Sequence, residues 1–501
     1  MKRLKLSIFT VFVVFASLIL MLLVFKGDSD IFYYQNTYDT KVGGPFELTN
    51  STSRYALIEA LVENRSVFFT ESQAKRSAPD ISYYNGKYFS IFTPGISLLS
   101  IPLYVLGKAL GYQQHITFLL NIIVQVINIL LIAKLSTKFN LSFKKGLLSG
   151  LIFAFATNAL TYSLTLAQHN VTAMFTLLAV LNAINKKRSF KNNFVLGAIY
   201  GIAGLADIPN FFILLPSMLY AFYTSLITEE NKVYVKGVFY VVIMGLAFLP
   251  FAVGFGLYNK AQTNSYFDNG QFIGRSAYPA KELTQTPEEK EAESREPKTR
   301  HTPLYTRDQM RNLYLLTISN ERGILFYSPI VLLGILGLFL AYFDKRHTSI
   351  ISLITATVLI TLALYSMHGD PWGGWAFSSR YMIVPASLIL ACTGVAFNRF
   401  GKKVAFHLIF IPLLGYSLYV SSLGALTTNA IPPKVEAIHL IVPIPYTYEY
   451  NQTLVQSWNS SLVYNAYLEN YMTPITYLYV YIGLAATLLV ITYVKAARED
   501  K

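Results

Sequence analysis

Asp80-Ile-Ser-Tyr-Tyr-Asn-Gly-Lys-Tyr-Phe-Ser90, followed by Ile-Phe-Thr-Pro94-Gly95, is a polar and aromatic stretch set between two strongly apolar segments. Asn85-Gly86 is the strongest short hairpin signal a sequence offers, because both residues tolerate the positive φ of a type I′ turn. Such a turn is expected to hold Lys87 and the preceding carboxylate, Asp80, on one small rigid platform, with Tyr88 among the flanking aromatics. Pro94-Gly95 ends the platform and hands the chain to an apolar helix. An acid, a base and a shaped turn kept at a bilayer surface point to chemistry rather than packing. The stretch therefore reads as half of an active site facing out of the cytoplasm.

The composition on either side fits that setting. Hydrophobic residues make up 53% of the 501-residue chain and charged residues 14%, against about 25% charged in ordinary globular domains. Runs long enough for a bilayer helix, roughly 17–25 apolar residues, recur along most of the length. The formal net charge is +14, which in a soluble chain would suggest nucleic acid. Here the surplus Lys and Arg collect in short links between apolar runs, where they set orientation, so nucleic acid is not an expected partner. The single cysteine, Cys392, lies inside an apolar run, so no intramolecular disulfide or cysteine metal cluster is expected. The first run, 6–25, follows Met-Lys-Arg-Leu-Lys without a small-residue cleavage site after it, and reads as a retained membrane helix.

Taken in order, the runs predict an all-α integral membrane protein of about twelve spans. After the first span, a polar segment over 26–95 contains Ser53-Arg-Tyr-Ala-Leu-Ile-Glu-Ala-Leu-Val-Glu63, whose spacing predicts an amphipathic helix lying along the membrane surface. Asn50-Ser51-Thr52-Ser53 supplies candidate N-caps for it. The hairpin follows, and 96–110, interrupted by Pro102, reads as a re-entrant or interfacial helix. Further spans are expected over 116–132, 146–166, 171 to the Lys186-Lys187-Arg188 link, 194–206, 209–227 and 238–258. The remainder start at 324, cover 349–365, end before Arg399, and run over 404–423 and 475–494. The basic links all fall on one side, which predicts cytoplasmic termini and polar loops on the extracytoplasmic face of a plasma membrane. Three regions follow: an N-terminal membrane half over 1–258; a second outer loop over 259–322, whose charged 281–300 run is too polar to bury a core; and a C-terminal membrane half over 323–501 with outer loops 366–381 and 424–473.

Three clusters on the expected outer face could carry chemistry. The first joins Arg54, Asp80 and Lys87. The second is Asn320-Glu321-Arg322-Gly323-Ile-Leu-Phe-Tyr327-Ser328-Pro329. The third is His368-Gly-Asp370-Pro-Trp372-Gly-Gly-Trp375-Ala-Phe-Ser-Ser-Arg380-Tyr381. Each sets an Arg beside aromatics at a helix entry. Arg makes forked hydrogen bonds to phosphate while its stem lies along apolar surface, which suits a lipid phosphate. The plainer reading of any one of them is an interfacial anchor. His169, in the short Gln168-His169-Asn170 turn, and Asp207, before Pro209, read first as turn residues. No phosphate loop, dinucleotide fingerprint or metal-ligand spacing is visible, so no cofactor is expected and a divalent metal has no sequence support.

With these pieces in order, the chain resembles the GT-C superfamily of polytopic glycosyltransferases, in particular the protein-mannosyltransferase-like branch that includes aminoarabinose transferases. The matching pieces are Ser53-Arg54-Tyr55 through Glu63; Asp80 through Gly95; His169 between two spans; Arg322-Gly-Ile-Leu-Phe-Tyr-Ser-Pro329; and Trp372-Gly-Gly-Trp-Ala-Phe-Ser-Ser-Arg-Tyr381. The resemblance implies transfer of a sugar from a polyprenyl-phosphate donor to a glycan, lipid or protein acceptor at the outer face, with inversion. It implies Asp80 as catalytic base and Arg54, Lys87, Tyr88, His169, Arg322, Tyr327, Trp372, Trp375 and Arg380 as substrate-binding residues. Many members carry an acidic pair just before the first amphipathic helix. This chain has Asn50-Ser51-Thr52-Ser53 there, which leaves Asp80 as the acid at a motif position, with Glu47, Asp39, Asp30 and Asp28 as nearby substitutes. Two rivals stand beside the enzyme: a non-catalytic binder of lipid-linked glycan, and a transporter or flippase. A transporter should carry charges or broken helices at mid-membrane, and the predicted spans are almost free of charge.

Overall fold

The structure, a computed structural model, describes residues 7–27, 42–185, 188–227, 235–279, 286–287, 307–344 and 347–498. Asp28, Asp30, Asp39, the Lys186-Lys187 and Lys345-Arg346 links and nearly all of the 281–300 run lie outside the described residues. What is described is almost entirely helical. The elements are α1 (Ile8–Leu23), α2 (Thr49–Val62), α3 (Glu71–Ser77), a hairpin of β1 (Ile81–Tyr84) and β2 (Lys87–Ser90), α4 (Gly95–Leu110), α5 (Gln113–Ser136), α6 (Phe143–Phe155), α7 (Ala159–Tyr162), α8 (His169–Ala183) and α9 (Phe190–Ala206). They continue as α10 (Asn210–Ile213), α11 (Leu215–Leu226), α12 (Val235–Thr263), α13 (Gly270–Ile273), α14 (Gln309–Thr317), α15 (Ile324–Tyr327), α16 (Val331–Tyr342) and α17 (Thr348–Ser366). The last are α18 (Ile383–Leu390), α19 (Thr393–Phe400), α20 (Val404–Leu426), α21 (Lys434–Ala437), α22 (Glu449–Leu454) and α23 (Pro474–Ala497).

Among the described residues, five helices are long and apolar enough to cross a membrane: Gln113–Phe139, Lys236–Thr263, Thr348–Ser366, Val404–Leu426 and Pro474–Ala497. The pair Arg380–Leu390 and Thr393–Phe400, bent by 43°, makes a sixth if it is one span. Several runs expected to be single spans are broken instead, and proline or side-chain amides explain where. Pro329 separates α15 from α16, and Pro216 opens α11 just after α10. The run 146–166 stops being a long helix at Phe155. The chain then crosses the interior as the irregular segment 156–168, interrupted by α7. Backbone in an apolar interior must have its polar groups met, and amide side chains do this. Asn121 donates to the Ala167 carbonyl (2.8 Å), Asn170 to that of Ala159 (2.9 Å) and Asn429 to that of Thr161 (3.2 Å).

Two expectations for the first polar segment are corrected. The 49–62 helix does not lie along a surface. Residues Asn50 to Ile58 are all buried, because its polar N-terminal turns pack on the hairpin and on 165–168. Ser53 and Ser90 hydroxyls meet at 2.9 Å, and Ser51 Oγ accepts from Leu166 N (3.3 Å). Nor does any of Asn50 to Ser53 cap it: the helix opens one residue earlier, with Leu48 at the N-cap and no side-chain cap bond. The 96–110 run is an unbroken helix despite Pro102, and turns through Gly111 (φ +79°) directly into α5. At its start a Cβ on Gly95 would stand 2.4 Å from the Leu205 and Ala206 backbone. Only glycine lets the α4 entry approach the end of α9, where Asp207 follows.

The hairpin forms as the Asn-Gly signal predicts. Asn85 and Gly86 take φ +49° and +76°, and the antiparallel register pairs Ile81 with Ser90 and Tyr84 with Lys87. Two strands alone are marginal in water, and here both edges are held. Phe69 N donates to Tyr88 O (2.8 Å) on one side. Ser276 N donates to Ile81 O (2.8 Å) on the other, where Ser82 Oγ also lies 2.9 Å from the carbonyls of Gly270 and Gly274.

Candidate active site

The register that builds the hairpin also separates the two residues expected to share its platform. Lys87 sits at the turn, opposite Tyr84, while Asp80 precedes the far end. At about 3.3 Å per residue the four residues from Asp80 to Tyr84 set them roughly 13 Å apart along the strand. Lys87 is exposed and lies over the Phe68 ring at 4.4 Å. Asp80 is 4% exposed and has other partners: Thr49 Oγ1 donates to its Oδ2 (2.7 Å), and Arg275 Nε stands 3.0 Å from its Oδ1. The Asp80–Lys87 pairing is therefore not made. Thr49 is the first residue of α2, so the hairpin delivers a carboxylate to a helix N-terminus whose own first turn holds no acid. That end of a helix favours negative charge.

One turn further along α2, Arg54 is 1% exposed. Its guanidinium lies over the Phe92 ring at 4.1 Å and donates to Gln168 Oε1 (2.7 Å) and to the Asn50 carbonyl (3.3 Å). Gln168 in turn donates through Nε2 to Asp207 Oδ2 (3.1 Å), so an amide joins α2, the entry of α8 and the end of α9. Burial pulls the Arg54 guanidinium down to about 10; the Asp207 and Asp80 carboxylates act against that, and the Arg380 guanidinium adds to it. Burial pushes the Asp207 carboxyl up, while Arg54 and Gln168 hold it down.

The 365–381 segment closes the group. Tyr365 and Tyr381 stack at 4.1 Å, and His368 lies 5.8 Å from the Tyr381 ring. His169 meets Tyr162 and Tyr381 edge-on at 5.9 and 5.7 Å. Gly373 (φ +71°) leaves room for Arg380, since a Cβ there would stand 2.8 Å from Arg380 Nε. Among the described residues, Arg54 Nε, Arg380 Nε and His169 Nε2 are buried and have no hydrogen-bond partner. A buried polar atom left in this state costs about 1–3 kcal/mol, more if charged. These three nitrogens come from α2, α8 and the approach to α18.

The other predicted residues stand elsewhere. Arg322 is fully buried, and its donors go to the carbonyls of Glu321 (2.8 Å), Ile431 (2.8 Å), Trp372 (3.4 Å) and Gly374 (3.5 Å). It ties loops together and has little left to offer a substrate. Tyr327 donates to Glu321 O (3.1 Å) from an aromatic nest with Phe326, Phe377 and Tyr448. Trp372 donates to Glu321 Oε2 (3.0 Å) and Trp375 to Glu436 Oε2 (2.6 Å). Tyr88 packs between Tyr83 and Tyr278. The structure thus gathers Arg54, Asp80, His169 and Arg380, and sets Lys87, Tyr88, Arg322, Tyr327, Trp372 and Trp375 in neighbouring supports. It adds Gln168 and Asp207, which a sequence reading leaves as turn residues. The signal was their position: both open or close a helix on the same side as Arg54. Among the described residues no group of three His, Cys, Asp or Glu side chains stands close enough to hold a metal ion.

No protein-family model matches the sequence, and a search of curated proteins found no matching relative. Solved structures do match. The crystal structure of ArnT from Cupriavidus metallidurans bound to undecaprenyl phosphate aligns with 96% of this chain and 76% of its own, at 13% identity and a TM-score of 0.52. Its apo state aligns over the same shares at 13% identity and a TM-score of 0.50. The Archaeoglobus fulgidus oligosaccharyltransferase in complex with Zn and sulfate aligns with 88% of this chain at 14% identity and a TM-score of 0.49, and this chain spans 58% of its length. The chain therefore shares the fold of ArnT from Cupriavidus metallidurans.

Proposed function

We propose that the chain is a membrane glycosyltransferase that moves a sugar from a polyprenyl-phosphate donor to an acceptor at the extracytoplasmic face. The observation that carries this reading is the trio of unpartnered nitrogens, Arg54 Nε, Arg380 Nε and His169 Nε2. A lipid phosphate supplies the missing acceptor oxygens, and charge-assisted bonds to it are worth roughly 1.5–3 kcal/mol each. With its proton on Nε2, His169 donates as well. That the chain shares a fold with a protein captured on undecaprenyl phosphate agrees with this choice of anion.

In the reaction, Asp80 accepts the proton of the acceptor hydroxyl or amine. The acceptor's lone pair forms the new bond to the anomeric carbon while the bond from that carbon to the phosphate oxygen breaks. The electron pair leaves on the polyprenyl phosphate, whose growing charge Arg54 and Arg380 neutralise. Attack opposite the leaving group makes the transfer inverting, of hexosyltransferase type. Asp80 suits the role because Thr49 fixes its carboxylate and its ion-pair partner among the described residues is Arg275, whose side chain is 55% exposed.

Around this site we place about twelve spans, counting broken helices as single crossings, in the halves 1–258 and 323–501 with the loop 259–322 between them. The basic links put both termini in the cytoplasm and the site outside the plasma membrane. Helix breaks alone do not argue for a transporter, because the buried segment 156–168 carries no charged residue. The test is binding and turnover with purified protein in lipid. Undecaprenyl phosphate should raise the melting temperature, and an undecaprenyl-phosphate sugar should be consumed when acceptor is present. Failure of any polyprenyl phosphate to bind or protect would end the proposal. Binding without turnover across a broad acceptor panel would leave the non-catalytic binder, and lipid-linked sugar crossing vesicles unchanged would leave the flippase.

A further inference from the structure

We infer that Gln168 is a positioning residue that keeps Arg54 charged and aimed for the donor phosphate. This inference rests on the reading of the site given above. A guanidinium only donates and a carboxylate only accepts. The Gln168 amide between them therefore has one orientation that satisfies both: Oε1 on Arg54 at 2.7 Å, Nε2 on Asp207 at 3.1 Å. The amide does two things at once. It fixes the guanidinium plane against Phe92 through Nη2, so that Nε, which has no partner among the described residues, is held in place with its donor to spare. It also inserts a neutral group where a direct Arg–Asp pair would otherwise form.

That spacer matters because a buried Arg in a direct, forked pair with a carboxylate has its charge and donors committed. Arg322 shows the same outcome reached through carbonyls. With the amide interposed, Asp207 still balances the two buried guanidiniums of Arg54 and Arg380 from a distance, but the contact charge at Arg54 remains for an incoming anion. The position also explains why Gln168 sits where it does. It ends the irregular segment 156–168 and opens α8 one residue before His169, so one turn of chain places both the spacer and a third phosphate-facing nitrogen.

The experiment compares parent, Gln168→Glu, and the double variant Gln168→Glu/Asp207→Asn, using undecaprenyl phosphate as the probe, with melting temperature as the folding control. In the double variant the new carboxylate accepts from both Arg54 and the amide that replaces the Asp207 carboxylate. The hydrogen bonds are thereby restored while the negative charge moves onto Arg54. We expect parental melting temperature but donor binding about tenfold weaker or more, the loss of roughly one charge-assisted bond. The single variant should bind at least as weakly. If the double variant binds undecaprenyl phosphate within twofold of the parent, Gln168 serves packing alone and the inference fails while the proposed function stands. If the parent itself does not bind the probe, both fail together.

Discussion

Arg322 and the Arg54–Arg380 pair look alike in sequence and differ in structure. All three stand beside aromatics near a helix entry, and all are at least partly buried. Arg322 has four backbone carbonyls around it, and Tyr327, Trp372 and Glu321 lock the same loops. Arg54 and Arg380 each keep a buried Nε without a partner among the described residues, next to a histidine in the same state. Burial and an aromatic neighbour therefore do not identify a ligand-binding arginine. Unmet donors gathered in one place are the feature on which the proposed reading rests, with a lipid phosphate to complete them. Glu47 and Asp80, two carboxylates with side chains 2% and 5% exposed, repeat the contrast. Glu47 is met by Lys26 Nζ at 2.5 Å, by Gly43 N at 2.7 Å and by Thr428 and Asn429. Asp80 has one hydroxyl and one half-exposed Arg.

The largest expected effect separates those carboxylates. A positioned general base contributes about 10²–10⁴ in rate, so Asp80→Asn should lose nearly all transfer while keeping donor binding and melting temperature. Glu47→Gln should do the reverse, lowering stability by about 3–5 kcal/mol because Lys26 is left as a buried unpaired charge. Transfer assays and thermal melts on both variants check this; an active Asp80→Asn beside a stable, dead Glu47→Gln would move the base to Glu47. Next in size, Arg322→Leu strips a charged partner from several buried carbonyls and should cost at least about 3 kcal/mol of stability in a denaturation series. Arg380→Lys should leave the melt unchanged and weaken donor binding about tenfold, since an ammonium cannot make the forked contact. Donor binding within twofold of the parent would remove Arg380 from the site. The smallest effect belongs to Lys87→Ala. An exposed cation over Phe68 is worth about 0.5–1 kcal/mol, so stability should fall by no more than that and donor binding should stay put.

Much of this contrast was out of reach of the sequence, for physical reasons. The hairpin was legible because Asn-Gly encodes a backbone geometry locally, and the apolar runs were legible because bilayer length is a one-dimensional property. The breaks in those runs were partly legible at Pro216 and Pro329. The break at 156 was not, because it depends on Asn121, Asn170 and Asn429 reaching carbonyls from other segments. The burial of 49–62 was missed for the same reason: its serines and threonines read as caps, yet they bond to groups up to 115 residues away. Arg54, Asp80, His169 and Arg380 could be listed from motifs. Which Arg was saturated, and that Gln168 and Asp207 complete the site, required the partners' positions in space.

On the proposed reading Arg54, His169 and Arg380 hold the donor phosphate. A structure of the protein with undecaprenyl phosphate in a lipid nanodisc tests it most directly. Phosphate density is expected within hydrogen-bond distance of Arg54 Nε and Arg380 Nε, with His169 Nε2 as a third donor and the Gln168–Asp207 bridge intact. Density for the phosphate at Lys87 or against Arg322, with the three nitrogens still unmet, would contradict it.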